Sequence, residues 1–430
     1  MGFECCACAQ EGQRPRSALA RGASRPPPAS HPECPTFTYA PTLDIRLFSQ
    51  SPQFPKGQFV LAPVIRTIAS RVKPSINWLL AFIPISIVLE RAHMAPPLVF
   101  FAAALAIIPA ASLIVHATEQ ISTRTGDAVG GLLNATFGNA PELIIATVAL
   151  KAGLIDLVRA SIIGAILGNL LLALGVAMLL GGIRFRDQVY NADAARVYSS
   201  MMLLAVISLI IPGTFEGYFS DAQYTPQVQH LNTALAILLL VTYALYLVFM
   251  LKTHPQLFKS AAGSKPEHHA GPVWSVPRAI ATLVGASVVA AFMSEVLVGA
   301  AEGTGKALGM SQAFIGLVLV AIVGGAAESL SAIAAGRKNK MDLSLGIALG
   351  SSIQIALFVA PVLVLLSWLI APVPLTLAFH RAEVGALFLT VLIGIVVSGD
   401  GRANWYRGTQ LIVVYGAIAL MFYFVPEVSR

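Results

Sequence analysis

Apolar runs about as long as a bilayer is thick dominate this chain from residue 76 onward. They fall at 76–91, 97–120, 126–150, 156–182, 196–212, 229–251, 277–302, 312–335, 343–371, 381–398 and 408–425. A spanning helix needs roughly 20 apolar residues. No backbone group facing lipid can go unbonded, so each run is expected to be helical. The pattern predicts an all-α integral membrane protein with eleven transmembrane helices. Residues 1–72 differ. They are rich in Pro, Ser, Arg and Gly, as in Arg25-Pro26-Pro27-Pro28, and have no helical period. Such a stretch buries too little apolar surface to offset its ordering entropy, which predicts a disordered N-terminal tail.

Composition agrees. Hydrophobic residues make up 56% of the chain and charged residues 11%, with a mean hydropathy of +0.76. A water-facing surface would need roughly 25% charge. The net charge of +7 forms no dense basic stripe, so no nucleic-acid partner is expected. The basic residues instead set orientation. With a cytoplasmic N-terminus, Arg124, Arg184, Arg186, Arg196, Lys252, Lys259, Lys265, Arg337, Lys338, Lys340, Arg402 and Arg407 fall inside. The opposite loops hold only Arg91, Lys151, Arg159, Lys306 and Arg381, a positive-inside pattern. All four cysteines, Cys5, Cys6, Cys8 and Cys34, lie in the tail, so neither a disulfide nor a structural zinc site is expected in the membrane body. The expected organisation is a tail (1–72), an extra helix and five more helices (73–251), a cytoplasmic linker (252–276) and five further helices (277–430). The linker histidines His254, His268 and His269 are expected to be solvated.

The halves repeat. At a constant offset of 186 residues, Gly130 falls on Gly316, Gly138 on Gly324, Ala140 on Ala326, Glu142 on Glu328, Asp156 on Asp342 and Gly164 on Gly350. With a three-residue gap upstream, Glu119 falls on Glu302 and Gly126 on Gly309. The matches are glycines and acids, not interchangeable Leu or Val. Five helices is an odd number, so the two halves enter the membrane in opposite senses. Two inverted five-helix repeats are a secondary-transporter signature, with substrate bound near the midplane between them.

The candidate chemistry lies in Gly138-Asn139-Ala140-Pro141-Glu142 and Gly324-Gly325-Ala326-Ala327-Glu328, each inside an apolar run. A carboxylate there costs ~2.5 kcal/mol or more and marks an ion or proton pathway. No basic residue lies within two turns of either Glu in its own span. On a continuous helix, Gly138 and Asn139 share a face with Glu142, as Gly324 and Gly325 do with Glu328. Glycines and Pro141 loosen the helices and free carbonyls beside the carboxylates. The expected product is an all-oxygen set suited to a hard cation such as Ca2+. Nearby Cys and His are absent, which disfavours soft metals. Ser351, Ser352, Gln354 and Asn169 add neutral oxygens. Glu119, Glu295 and Glu302, expected near helix ends, could relay protons or collect cations. Asp156 and Asp342 are expected to be N-caps.

Charge suggests a mechanism. Two desolvated carboxylates facing each other disfavour the empty, doubly charged site. Either a divalent cation or about two protons relieves that penalty, and each expels the other. Such a site is expected to act as an antiporter. An uncoupled conductance would need no alternating access. Ser398-Gly399-Asp400 faintly suggests an intramembrane aspartyl hydrolase, but no second helix aspartate completes the pair and no HExxH motif occurs.

The run Gly130-Gly131-Leu132-Leu133-Asn134-Ala135-Thr136-Phe137-Gly138-Asn139-Ala140-Pro141-Glu142 resembles the Ca2+/H+ exchanger branch of the Ca2+/cation antiporter superfamily. So do the runs Lys338-Asn339-Lys340-Met341-Asp342 and Gly350-Ser351-Ser352-Ile353-Gln354-Ile355-Ala356-Leu357-Phe358. The resemblance covers about residues 76–425. It implies eleven helices, two inverted repeats, and Glu142 and Glu328 as central carriers of cation and protons. Asn139 and nearby carbonyls would be co-ligands, with Ser351, Ser352 and Gln354 beside the pathway. Ca2+ and H+ would be the substrates, with no cofactor. This sequence departs from the family at Gly325, where Asn is usual, at Ser329, where His is usual, and at Ala165 and Gly168, where Ser is usual. These departures bear on selectivity, and a Na+(K+)/H+ or broad-specificity antiporter of the same fold is the alternative. The acidic inter-half helix of eukaryotic members is missing: Glu267 is the one acid in the linker. A bacterial inner membrane is therefore expected over a vacuolar one.

Overall fold

The computed structural model describes residues 76–125, 127–218, 225–258 and 274–424. The tail with its four cysteines, and His268 and His269, lie outside them. A 3-10 turn (Ile76–Ala81) leads into α1 (Phe82–Arg91) and then α2 (Pro96–Thr125). Two short helices follow, α3 (Asp127–Phe137) and α4 (Ala140–Lys151), then the long α5 (Ile155–Phe185). The first half closes with α6 (Ala192–Tyr218) and α7 (Thr225–Val248), the latter running on through a π turn at Phe249–Thr253. The second half comprises α8 (Val276–Leu308), α9 (Gln312–Gly324), α10 (Ala326–Arg337), α11 (Met341–Ile370), α12 (Arg381–Ser398) and α13 (Trp405–Phe424).

Among the described residues, eight helices are long and apolar enough to cross a membrane. The α9–α10 pair, bent by 62°, makes a ninth if counted as one span. These nine coincide with nine of the expected runs. The other two differ for physical reasons. Run 76–91 is divided between a 3-10 turn and the 10-residue α1. Run 126–150 is interrupted at Gly138-Asn139, so α3 and α4 have only 11 and 12 residues. At 1.5 Å rise per residue each covers about half of the hydrocarbon. Pro141 has no N–H to donate and is tolerated only in the first turn of a new helix, which is where it sits. The continuous helical face expected for Gly138, Asn139 and Glu142, and for Gly324, Gly325 and Glu328, is corrected accordingly: each motif straddles a break.

Small residues bring the helices close enough to hold these broken segments. α2 and α8 lie along each other, with Ala110, Ala286 and Ala290 buried between them. α5 meets α9 almost backbone to backbone, since a Cβ at Gly164 would stand 2.0 Å from the Leu317 carbonyl oxygen. Such close approach is how helices gain packing energy where lipid offers no hydrophobic drive. π turns interrupt α5 at Gly168–Ala173 and α11 at Ile355–Val359, equivalent places in the two halves. A π turn disturbs the regular hydrogen-bond ladder and often marks a functional segment.

A two-stranded clip ties helix ends at one membrane face. β1 (Asp187–Val189) pairs antiparallel with β2 (Arg402–Asn404), Gln188 lying opposite Ala403. Gln188 Nε2 donates to Gly336 O at 2.9 Å and to Asn339 Oδ1 at 3.0 Å, joining the clip to the end of α10. Asp400 accepts from Arg407, whose guanidinium holds the Asp400 carboxyl down at about 2. That pairing gives Asp400 a structural partner. At the opposite end, Arg159 donates from Nε to Thr376 O at 2.9 Å and pairs with Asp156.

Asp156 and Asp342 are not N-caps. The cap positions are Leu154 and Lys340, without side-chain cap bonds, and both aspartates lie within the first turn. Asp156 is drawn to Arg159, and Asp342 accepts from Asn191 N at 2.7 Å.

Candidate functional site

The two breaks create two helix starts inside the membrane body. Asn139 (φ −97°, ψ 26°) precedes α4 and Gly325 (φ −79°, ψ 13°) precedes α10. Neither caps its helix through a side chain. Glu142 and Glu328 are the third residues of these helices, where first-turn N–H groups and the positive end of the helix dipole favour negative charge. Both are buried, at 9% and 7% exposure. All four of their carboxylate oxygens lack a hydrogen-bond partner, and each Glu is an electrostatic neighbour of the other. Four unpaired buried carboxylate oxygens are a rare and costly arrangement.

Neutral polar groups surround this pair in a chain. Asn169 Nδ2 donates to Ser351 Oγ at 3.0 Å, and Ser351 donates to Asn139 Oδ1 at 2.6 Å. Asn139 Nδ2 donates to Gln354 Oε1 at 2.6 Å. The break before α4, the π turn of α5 and the turn of α11 just before its own π turn are thereby linked across the two halves. Ser352, in contrast, is fully buried and donates to Ala348 O of its own helix.

A cavity of about 480 Å3 reaches this network. Its inner wall includes Glu328, Gly138, Asn139, Ser351 and Gln354, and its outer wall includes Glu119, Lys340 and Asp342. Glu142 instead faces a second space of about 20 Å3, bounded by Ser161, Ala165 and Gly324 among others. The region between α5 and α9 beyond it is packed. Access is therefore one-sided.

The remaining candidates are dispersed. Glu119 lies at the cavity wall, 3.6 Å from His116 Nδ1. Glu302 is exposed and pairs with Lys306 at 2.6 Å. Glu295 is exposed and lies mid-helix, because α8 runs on to Leu308, so the expected position near a helix end is corrected. His254 stacks on Phe249 at 4.4 Å, and the described residues hold no cluster of three metal-ligating side chains. Sequence reasoning missed Asn134, Ser331, Tyr198 and Tyr246 on the cavity wall. Asn134 lies one turn before Gly138 and Ser331 one turn after Glu328, a spacing that could have flagged both. The tyrosines carry no such signal among so many apolar residues.

Buried acids at paired helix breaks, one of them on the wall of a cavity open from one side, are the arrangement of a secondary transporter. The sodium/calcium exchanger protein family matches residues 96–252 and 278–424. The chain belongs to this family, in its Ca2+/H+ antiporter branch. A Ca2+/H+ antiporter of Aphanothece halophytica is 43% identical over 82% of this chain and 97% of that protein. A vacuolar calcium ion transporter of Schizosaccharomyces pombe is 38% identical over 82% of this chain and 85% of that one. The solved structure of native YfkE is 36% identical, with a TM-score of 0.70 over 82% of this chain and all of that one.

Proposed function

We propose that this protein exchanges Ca2+ for H+ across a membrane, with Glu142 and Glu328 carrying either the cation or protons. One observation carries the proposal: two buried carboxylates from two helix breaks lie together with no hydrogen-bond donor, and one of them, Glu328, lines the inner wall of a one-sided cavity. A hard divalent cation supplies the missing partner for all four oxygens. With the cation gone, protons neutralise the same groups, because two bare charges in a poorly hydrated space are strongly disfavoured. The site is then full of metal or full of protons, and the two fluxes are coupled. Asn139, held by Ser351 and Gln354, orients an amide beside the cation, and carbonyls at Gly138 and Gly324 add oxygens. Ser352 has its hydroxyl committed to its own helix and serves packing there. Glu119 collects cations at the cavity mouth.

The same proposal counts eleven spans, with α1 and the α3–α4 pair among them, as an extra helix and two inverted five-helix repeats. The recurrence of both helix breaks, and of the π turns of α5 and α11, at one offset supports that count. The loop charges support a cytoplasmic N-terminus. The single acid of the linker, Glu267, favours a bacterial inner membrane, although both bacterial and vacuolar relatives exist.

Reconstituted protein with an imposed pH gradient tests this. Wild type should accumulate Ca2+ until a protonophore is added. Glu142→Gln and Glu328→Gln should each lower uptake by about a hundredfold or more, the scale expected when an essential charged ligand is lost. Undiminished uptake by both variants would remove these residues from the site, and uptake indifferent to the protonophore would remove exchange.

A further inference from the structure

The two halves of the site are unequal, and they differ by a set of residues. At the repeat offset, Asn139 corresponds to Gly325, Ser351 to Ala165 and Gln354 to Gly168. On one side of the site these three side chains, drawn from both halves of the chain, lock together, Gln354 accepting from Asn139 and Ser351 donating to it. On the other side all three counterparts lack any polar side-chain atom. Backbone geometry does not require this. Gly325 has φ −79°, close to the −97° of Asn139, a region open to any residue. Packing does not require it either. A Cβ at Gly325 would make ordinary contacts with Asn169 Oδ1 and Glu142 Oε1, 3.6 Å from each, and one at Gly168 would meet nothing within 4 Å. Of the three, Ala165 bounds the 20 Å3 space that Glu142 and Ser161 also line, while Gly325 adjoins Glu142 Oε1 directly. About 10–15 Å3 already suffices for one water, given polar partners.

Resting on the exchange reaction proposed above, we infer that Gly325, with Ala165 and Gly168, determines cation specificity. The missing side chains leave room for a water ligand on the Glu142 side, and this admits divalent cations smaller than Ca2+, namely Mn2+ and Mg2+. Ca2+ accepts six to eight oxygens at ~2.3–2.6 Å and suits a cage built wholly of protein. Mg2+ holds its ligands at ~2.0–2.1 Å, sheds water reluctantly and usually keeps several waters when bound. Mn2+ favours the same carboxylate, carbonyl and water ligands. A cage of fixed oxygens spaced for Ca2+ cannot close on these ions. A site with protein oxygens on one side and a water on the other follows the ion inward.

The test is H+-driven Ca2+ uptake into proteoliposomes, in competition with Mn2+ and then with Mg2+. The quantity read is the half-inhibiting concentration of competitor divided by the KM for Ca2+, whatever the absolute rate. In wild type, Mn2+ should inhibit at a ratio of about ten or less, a free-energy gap of no more than ~1.4 kcal/mol. The pair Gly325→Asn with Ala165→Ser rebuilds the amide and hydroxyl of the opposite side of the site and should raise the ratio about tenfold. Gly325→Ala fills the space with a methyl group and no oxygen, so KM and half-inhibition should rise together and leave the ratio as it was. A wild type indifferent to about a hundredfold excess of Mn2+ would overturn the inference, as would a paired variant with an unchanged ratio. Should the paired variant fail to fold, Ala165→Ser alone should raise the ratio about threefold, and no rise there also overturns it. Failure of the exchange proposal looks different: Ca2+ uptake would then persist in the Glu142→Gln and Glu328→Gln variants.

Discussion

Two stretches of helix at equivalent positions in the two halves have opposite surroundings. Leu157, Ala160, Ser161 and Gly164 of α5 lie at the seam with α9. There a Cβ at Gly316 would stand 2.8 Å from Leu157 O and 2.7 Å from the Ala160 Cβ. Their counterparts on α11, Leu343, Gly346, Ile347 and Gly350, line the large cavity. Leu157 is 2% exposed and Leu343 53%. The residue set is similar and the packing is not. On the α11 side, the segment that would mirror α9 is α3, and Gly130 of α3 lies against Ser122 of α2 instead. The difference is thus one of conformation, not composition. One seam is formed here and its counterpart is open; under the exchange proposed above, the two seams would trade roles. That is the arrangement alternating access requires, in which the site opens to one side at a time.

Substitution at Gly164 and Gly350 should break the comparison most visibly. Gly164→Ala would place a methyl group on a backbone oxygen that cannot retreat cheaply, and overpacking of this kind costs about 1–3 kcal/mol. Melting in detergent should show that loss, and exchange should fall with it. Gly350→Ala meets nothing within 4 Å in this conformation and should shift stability by no more than about 0.5 kcal/mol. It should nevertheless slow exchange, because α3 must close on that face when the opposite seam opens. Equal melting losses in the two variants would mean that the two faces are packed alike.

A smaller effect sharpens the same contrast. With Cys5, Cys6, Cys8 and Cys34 replaced by Ser, a water-soluble maleimide should label Leu343→Cys at least about tenfold faster than Leu157→Cys, as their difference in burial implies. An outward pH gradient with saturating Ca2+ should narrow that gap if the two seams exchange roles. Identical rates for both sites would contradict one-sided access.

Much of the site was legible because glycine and acid are conspicuous in an apolar run. Glu142, Glu328, Asn139, Ser351 and Gln354 stand out for that reason, and the structure brings them together. The helix breaks were legible only as loosened helix. Apolar periodicity continues across Asn139 and Gly325, so pattern alone gives one run where the backbone makes two helices. Asp156 and Asp342 resembled caps because they open helices, but Asp156 pairs with Arg159 one turn on in its own helix and Asp342 accepts from Asn191 across the fold. Glu295 looked terminal because the apolar run ends near residue 302 while the helix continues through polar residues to Leu308. Which seam is closed could not be read at all, since both helices carry small residues at the seam positions, Gly164 on α5 and Gly346 and Gly350 on α11.

The central claim is that one pair of carboxylates holds either metal or protons. Proton release on Ca2+ binding tests it most directly, followed with a pH indicator on purified protein in weak buffer near pH 7. Wild type should release up to about two protons per Ca2+ bound, as displacement from two protonated carboxyls requires. Glu142→Gln with Glu328→Gln should bind no Ca2+ and release none. Stoichiometric Ca2+ binding by wild type with no proton released would contradict the account.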